Sequence, residues 1–434
     1  MLAPLNAPAA GEVGRRPAVP RFQDYPLSAK FHTFITSLLV VAFWFPSLTS
    51  IGQVNLNVIL LPLILPYAIL RWPAVDVNAR RLIYLPVILL LLVAALSSLS
   101  FTFTEQPFLV FRVLYSQIIA LAAVVTIVAL YEGRRGCDRI ISLMAWGGSA
   151  SSLIVLVAKF VPALGAVLFR HGDRTAAFFK HPNQFGMAIA MIAPVLVAQM
   201  ITIPKKRKLR VLQLALIFVG LVLSGSKTNI GIFAVGCALS AVGALAVTGQ
   251  LRRNPLVLVP LTLGTAVAAV GATALLSYLN PRAVRLMTAF ATQGEIQSTG
   301  SRKVLWQQSL DAGLDRPFTG VGAGQPVNLV VAHSHNVFLD YFRTMGIPGL
   351  ALVGGIVLSV LSICLIASIR SKYIASNSDR SIVLALIISC VSYILSNQLS
   401  DSFGPSTYPI FWSCVAMLAL IASQARPGLA RPGQ

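Results

Sequence analysis

Residues 346–369 read GIPGLALVGGIVLSVLSICLIASI, a run without a charged side chain. A membrane-spanning helix needs about 20 predominantly apolar residues, so this run predicts one. Directly before it, residues 332–340 read AHSHNVFLD and hold two of the chain's five histidines. An apolar span preceded by a polar, histidine-containing segment predicts a membrane protein with a functional site just outside the bilayer.

The composition extends this prediction to the whole chain. Of its 434 residues, 56% are hydrophobic and only 11% are charged, whereas soluble domains carry about 25% charged residues. We therefore predict an all-α polytopic membrane protein with about twelve transmembrane helices and one large outer loop. The predicted spans are 33–51, 53–70, 82–103, 108–131, 140–161, 184–203, 211–224, 229–248, 255–279, 346–369, 381–399 and 407–424.

The distribution of Lys and Arg residues predicts the orientation. A net charge of +21 would suit a nucleic-acid-binding protein, but most basic residues form short clusters between apolar runs, as the positive-inside rule requires. We expect no nucleic-acid partner and place both termini in the cytoplasm. The predicted layout is a cytoplasmic tail without stable structure at 1–32, helices one to nine at 33–279, a large outer loop at 280–345, helices ten to twelve at 346–424, and a cytoplasmic tail at 425–434.

The remaining basic residues lie on the predicted outer side, where the topology does not call for positive charge. Each of them alone could be an ordinary solvated loop residue. Together with four of the five histidines, they predict a basic outer cavity for an anionic ligand. These residues are Arg112, Lys159, Arg170, Arg174, Lys180, Lys227, Arg282, Arg285, Arg302, Lys303, Arg316 and Arg343, with His171, His181, His333 and His335.

Three outer segments carry most of these residues. The first, 162–183, contains RHGDR at 170–174 and KHPN at 180–183, and the second is the short link SGSKT at 224–228. The third is the loop 280–345, in which we predict a helix that begins at an N-cap Ser301 and ends before Pro317. Its predicted apolar face consists of Leu305, Trp306, Leu310 and Leu314. The glycines at 320, 322 and 324 predict a flexible turn after this helix.

His335 is the strongest candidate for chemistry. Histidine can accept or donate a proton near neutral pH and is the most frequent general base. If a helix begins here, His335, Leu339 and Phe342 share one of its faces. The alternative is a structural histidine that caps the helix. His333 is weaker and becomes a loop residue or a support for His335.

Two of the cations have a functional and a structural interpretation. Arg112 lies within a predicted span, where a charge is costly and usually functional, but it could also extend to the lipid headgroups. Lys227 lies in the short link between two spans, which favours a functional role. Guanidinium groups suit phosphate oxygens, so Arg302, Arg170 and Arg174 are candidates for binding phosphate.

Other chemistries are less well supported. The His-x-His pair lacks a third zinc ligand, and the five cysteines show no metal-ligand spacing. We therefore predict neither a metal nor another cofactor. The Gly-x-Gly-x-Gly run at 320–324 does not follow a strand, which disfavours a nucleotide loop. No Asp or Glu lies clearly in mid-membrane, which disfavours a proton-driven carrier.

The order of these motifs resembles the O-antigen ligase and polymerase family, which includes bacterial exopolysaccharide polymerases. The resemblance covers about residues 170–350. It rests on four segments in order: Arg174 with FFKHPNQFG at 178–186, LSGSKT at 223–228, GSR at 300–302 with DRPFTGVG at 315–322, and HNVFL at 335–339 with GIPGL at 346–350.

The resemblance implies a metal-independent glycosyltransferase with a GT-C-like helical membrane fold in the bacterial inner membrane and an active site on the periplasmic side. His335 matches the family's essential histidine, Arg302 matches the arginine of the large-loop helix, and Lys227 occupies a position where many ligases have arginine. The Ser-Lys-Thr and His-Pro-Asn variants look closer to exopolysaccharide polymerases than to lipopolysaccharide ligases. The implied catalytic residues are His335, Arg302 and Lys227. The implied substrate-binding residues are Arg170, Arg174, Lys180, His181, Asn183, Arg112, Asn336 and His333.

We therefore expect a polymerase of surface polysaccharide repeat units, whose donor is an oligosaccharide on undecaprenyl diphosphate. An O-antigen ligase that transfers the glycan to lipid A-core is the alternative. A transporter or flippase of lipid-linked oligosaccharides is less favoured, and a structural subunit of a secretion complex leaves the outer cations unexplained. Expected partners are the donor, a glycan or lipid A-core acceptor, the bilayer, and the flippase and chain-length regulator of the same pathway.

Overall fold

The computed structural model describes residues 26–45, 56–104, 106–131, 133–169, 174–257, 271, 278, 297–328, 333–398 and 407–425. These residues form helices joined by short turns, and no β-strand occurs among them. The helices are α1 (Pro26–Trp44), α2 (Leu56–Arg71), α3 (Val77–Leu99), α4 (Pro107–Leu130), α5 (Gly133–Phe160), α6 (Pro162–Leu168), α7 (Pro182–Thr202), α8 (Arg207–Ser224), α9 (Lys227–Val247), α10 (Gln250–Arg253), α11 (Gln297–Asp315), α12 (Val337–Ser371), α13 (Asn377–Ser396) and α14 (Tyr408–Gln424).

The helical membrane fold predicted from the sequence is confirmed. An apolar segment in lipid must satisfy its backbone polar groups internally, and a helix does so. Every predicted span except 255–279 overlaps a described helix, and most of 255–279 lies outside the described residues. Within the described ranges, seven helices are long and apolar enough to cross a membrane: Val77–Thr102, Pro107–Leu130, Gly136–Phe160, Pro182–Thr202, Lys227–Val247, Val337–Ser371 and Asn377–Ser396. The count of twelve and the GT-C-like arrangement stay predictions.

Helix α7 lies at the centre of the described fold. It packs against α5, α8, α9 and α13, and 83% of its most apolar 18-residue stretch is buried. Pro194 interrupts its backbone ladder, but the carbonyl oxygens of Met191 and Pro194 accept hydrogen bonds from Ser389 on α13 and Ser240 on α9, both 2.6 Å long. These bonds fix both neighbours on α7 at the point where the proline weakens the helix.

The helix of the predicted loop differs from the prediction in its first residue and in its buried face. Helix α11 begins at Gln297, so Ser301 lies within the helix and does not cap it. Its buried residues are Leu305, Ser309 and Gly313, while Leu310 and Leu314 are exposed. A Cβ at Gly313 would lie 2.5 Å from the ring of Phe342 on α12. The close contact between α11 and α12 therefore selects a small residue, which an apolar pattern alone does not reveal.

The glycine run at 320–324 is a packed connection and not the flexible turn that we predicted. Val321 and Gly322 donate backbone hydrogen bonds to the carbonyls of Arg343 and Thr344 on α12, at 2.9 and 3.0 Å. All three glycines have positive φ angles. A Cβ at Gly324 would lie 2.6 Å from the Leu109 carbonyl oxygen on α4, so this segment joins α4 to α12 through close backbone contact.

One predicted boundary is corrected, and the helix predicted to lead from the His335 segment into the span at 346–369 is present. Helix α1 begins at Pro26, so the predicted tail at 1–32 includes the start of a helix. Helix α12 begins at Val337, within the predicted loop 280–345, and contains a break at Gly346 with φ 65° and ψ −159°. The break separates a short first segment from the apolar span 346–369, and this segment positions the residues around His335.

The break at Gly346 predicts that alanine is destabilising there and tolerated at a glycine with free space around it. In Gly346→Ala, the new Cβ would collide with the backbone of Pro317 and Phe318 and the residue would keep a left-handed φ. We expect a loss of about 2 kcal/mol or more in unfolding free energy. A Cβ at Gly231 in α9 would meet no other described atom within 4 Å, so Gly231→Ala should be neutral or stabilising by up to about 1 kcal/mol.

Thermal unfolding of both purified variants in the same detergent measures the difference. Equal melting temperatures for the two variants would show that the break at Gly346 is not constrained in the way described.

Candidate functional site

Arg174 joins the ends of two central helices. Its Nε–H donates to the Ser224 carbonyl at the end of α8, at 2.9 Å. Its Nη2–H donates to Asn183 Oδ1 at the start of α7, at 2.7 Å. Two fixed hydrogen bonds hold the guanidinium plane in one orientation, because both donors lie on the same rigid group.

Lys227 is the first residue of α9, directly after the turn between α8 and α9. Gly225 adopts a left-handed conformation with φ 60° and allows the chain to reverse within two residues. The positive charges of Arg174 and Arg302 act on the Lys227 ammonium group. The structure therefore brings together three cations from the segment before α7, the α8–α9 link and helix α11, which are far apart in the sequence.

Asn229 connects the helices around these cations. Its Nδ2 group donates to the Asn183 carbonyl at 2.8 Å and to Ser226 Oγ at 2.9 Å. Its Oδ1 atom accepts from Ser396 Oγ at 3.0 Å. The side chain is completely buried, and it thereby joins the start of α7, the start of α9 and the end of α13. Sequence reasoning missed this residue, although a polar amide next to Lys227 in an apolar span is a detectable signal.

The end of α13 continues this connection to the His335 segment. The Asn397 carbonyl, one residue after α13, accepts a hydrogen bond from the Val337 backbone N–H at 3.1 Å. Three helix N-termini therefore meet in one region, those of α7, α9 and α12. Helix N-termini carry partial positive charge, so this region favours an anion.

His335 precedes α12 and does not lie on it. Asn336 is the N-cap, and its Oδ1 atom accepts from the backbone N–H groups of Phe338 and Leu339 at 3.0 and 3.2 Å. The predicted shared face of His335, Leu339 and Phe342 is therefore wrong. His335 has a left-handed backbone with φ 61°, which is uncommon for a residue with a side chain. The residue is part-exposed and its Nδ1 atom is buried.

A buried ion pair supports the segment before His335. Arg343 is only 2% exposed, and its Nη2 atom lies 3.4 Å from Asp340 Oδ1. Its Nη1–H donates to the Gln325 carbonyl at 2.6 Å, and Asp340 Oδ1 also accepts from the Ser334 N–H at 2.9 Å. The charge pattern predicts Arg343 only as one of several outer cations. Its i, i+3 spacing from Asp340 was the signal for a structural pair.

Arg302 is linked to His335 through its own helix. It is part-exposed and lies four residues, about 6 Å along the helix axis, before Trp306 on α11. The Trp306 Nε1–H donates to the Ser334 carbonyl at 2.9 Å, and Ser334 directly precedes His335. Arg302 and His335 therefore lie on neighbouring elements that one hydrogen bond joins.

The other predicted site residues have different positions. Lys180 and Arg112 are exposed, and Arg112 lies near the start of α4. His333 is 57% exposed, with Nδ1 3.9 Å from Asp340 Oδ2. His181 is the N-cap of α7, and its Nδ1 atom accepts from the Asn183 N–H at 3.2 Å. Arg170 lies outside the described residues.

The buried position of Asn229 predicts a stability effect. Asn229→Ala removes three hydrogen bonds and leaves their partners buried, which should cost about 2–3 kcal/mol of unfolding free energy. Ser362→Ala is a suitable control, because this exposed hydroxyl bonds only within its own helix among the contacts described. Melting temperatures of the purified variants in detergent test this, and a wild-type melting temperature for Asn229→Ala would contradict the role assigned to the residue.

A comparison with protein families finds a match that covers most of this region. Residues 212–354 match the family model Wzy_C, described as O-Antigen ligase, and this range contains Lys227, Arg302 and His335. Arg174 and the His-Pro-Asn segment lie before it. No curated protein matches the chain significantly.

One solved chain, described as "Structural coordination of polymerization and crosslinking by a peptidoglycan synthase complex", is 17% identical, with 78% of this chain and 97% of that chain covered and a TM-score of 0.46. The family match confirms the resemblance drawn from the sequence over residues 212–354, within a chain of many apolar helices.

Proposed function

We propose that this protein is a membrane glycosyltransferase that polymerises surface polysaccharide repeat units. The observation that carries the proposal is the cluster of Arg174, Lys227 and Arg302, in which the positive charges of the two arginines act on Lys227. A group of cations held by a rigid framework attracts an anionic ligand. A diphosphate supplies several negatively charged oxygens and suits guanidinium and ammonium groups.

The proposed donor is an oligosaccharide on undecaprenyl diphosphate. Its polyprenyl chain would lie among the apolar helices, and its diphosphate would contact the cations and the helix N-termini of α7 and α9. The match to the O-antigen ligase family model supports an enzyme that ligates or polymerises polysaccharides. The donor, the inner-membrane location, the cytoplasmic termini and the periplasmic position of the site belong to the proposal.

In the proposed reaction, an acceptor hydroxyl oxygen attacks the anomeric carbon of the donor sugar. The bond between that carbon and the diphosphate oxygen breaks, and its electron pair leaves with the diphosphate. Arg302 and Lys227 stabilise the charge that develops on this leaving group, which is the electrostatic part of catalysis. The hydroxyl proton passes to the imidazole of His335, a contribution of about 10²–10⁴ in rate.

Arg174 has a supporting role in this mechanism. Two hydrogen bonds to Ser224 and Asn183 fix it, so it contributes charge at a constant position beside Lys227. A fixed cation stabilises a developing anion without having to reorganise during the reaction. His181 and Asn336 would act through helix capping, and Asn183 would act by holding Arg174. Lys180, His333, Arg112 and Arg170 would contact more distant parts of the glycan or the diphosphate.

The site assignment predicts the loss of polymer in two variants. His335→Ala and Arg302→Ala should each reduce chain elongation by about 100-fold or more, with unchanged expression and melting temperature. Lys303→Ala is the matched control, since Lys303 is exposed and adjacent to Arg302 on α11. The assay follows polymer length on gels, with lipid-linked repeat units extracted from cells that lack the enzyme. Normal polymer from both site variants would reject the assignment.

The acceptor separates the polymerase from the alternatives. We expect purified protein to elongate undecaprenyl-diphosphate-linked repeat units in the absence of lipid A-core. Each transfer releases one undecaprenyl diphosphate, so the amount of this free carrier should rise by one for each added unit.

Transfer only when lipid A-core is present would favour the O-antigen ligase. Movement of labelled lipid-linked oligosaccharide across a reconstituted bilayer, without elongation, would favour the flippase. Either result would reject the polymerase assignment.

A further inference from the structure

Trp306 bridges the two elements that carry Arg302 and His335. Its indole N–H on α11 donates to the Ser334 carbonyl at 2.9 Å. Arg302 lies about one helical turn before Trp306, and His335 directly follows Ser334. This hydrogen bond therefore connects the helix of the proposed leaving-group cation to the segment of the proposed acceptor residue.

The backbone N–H, the hydroxyl and the carbonyl of Ser334 each form a hydrogen bond with a different residue. Its N–H donates to Asp340 Oδ1 at 2.9 Å, and its Oγ–H donates to the Asn336 carbonyl at 2.9 Å. Both partners belong to its own segment. The Ser334 carbonyl, in contrast, reaches across to α11 through Trp306. The residue is completely buried, so its position depends on these contacts.

The backbone that follows is strained. His335 has a φ angle of 61°, a left-handed conformation that disfavours residues with a Cβ and persists only where the surroundings hold it. The peptide between Ser334 and His335 contains the carbonyl that Trp306 binds. Loss of that hydrogen bond removes one of the contacts that keep this peptide in its orientation, and the imidazole orientation depends on it.

We propose that Trp306 is a positioning residue that fixes the imidazole of His335 relative to the guanidinium of Arg302. The inference rests on the proposed function and goes beyond it. It assigns to the indole N–H the task of holding the acceptor residue and the leaving-group cation in one geometry. Small displacements of reacting groups reduce rates strongly, by about 10²-fold for a shift of about 1 Å.

The test removes the hydrogen-bond donor of Trp306 and keeps the size and shape of its ring system. In the full-length chain, Trp306 is replaced by 3-benzothienylalanine, an isostere whose sulfur cannot donate. We expect kcat for elongation of lipid-linked repeat units to fall about 10–100-fold, with KM changed by less than about twofold. Trp306→Phe should give at least the same loss.

Trp412 supplies the matched control. It is buried on α14, and among the described residues its Nε1 atom has no hydrogen-bond partner. The same isostere at position 412 should leave kcat and KM at wild-type values. An equal loss of kcat at 412 would show that the substitution acts through general packing, and the positioning role would be rejected.

Hydrogen exchange gives a second readout that does not depend on activity. In the isostere at 306, the amides of residues 334–337 should exchange about tenfold faster, while those of 350–365 should stay unchanged. Unchanged exchange at 334–337, or unchanged kcat in an active preparation, overturns the positioning role and leaves the proposed function intact. A folded wild-type protein that does not elongate the substrate rejects the proposed function, and the positioning role with it.

Discussion

Asn229 donates to Asn183 and Ser226 and accepts from Ser396, so one buried amide joins three helices. In a protein surrounded mostly by lipid, apolar contact does not favour one helix pairing strongly over another, since lipid tails are equally apolar. Hydrogen bonds between helices are directional and fix their relative positions. Arg174 and Lys227 depend on this junction, because each of them lies next to a group that Asn229 binds.

The same principle extends to the outer segment. The Val337 N–H bonds to Asn397 at the end of α13, and Trp306 bonds to Ser334. Glycines at 313, 320 and 346 allow α11, the connection that follows it and α12 to approach closely. Irregular backbone is tolerated beside a membrane domain where the protein itself satisfies the polar groups. The result is a polar region that contains several helix N-termini and cations. Hydrogen bonds and close backbone contacts with neighbouring helices restrict its motion.

Much of the site could be predicted from local sequence, and the errors have specific physical causes. Lys227 was predicted because a cation between two apolar runs is costly without a function. His335 was predicted from the proton chemistry of histidine and Arg302 from the fit of guanidinium to phosphate, and the family resemblance then implied catalytic roles for all three. Ser301 is not the helix cap because helix propensity does not define where a helix begins. Leu310 and Leu314 are not on the buried face, whereas Gly313 is the residue under Phe342. Close packing against a neighbour decides which face is buried, and one sequence does not contain the neighbour's position.

The sequence by itself determined that the chain is a helical membrane protein, which cations and histidines are unusual for such a protein, and which family the order of its motifs resembles. Apolar length and charge distribution are local properties, so they can be read without knowing the fold. Only the tertiary structure decided that Arg174, Lys227 and Arg302 lie together, that His335 has a left-handed backbone outside the helix, and that Asn229 and Trp306 join the parts. Those facts depend on hydrogen bonds between residues far apart in the chain, whose geometry arises only when the helices pack.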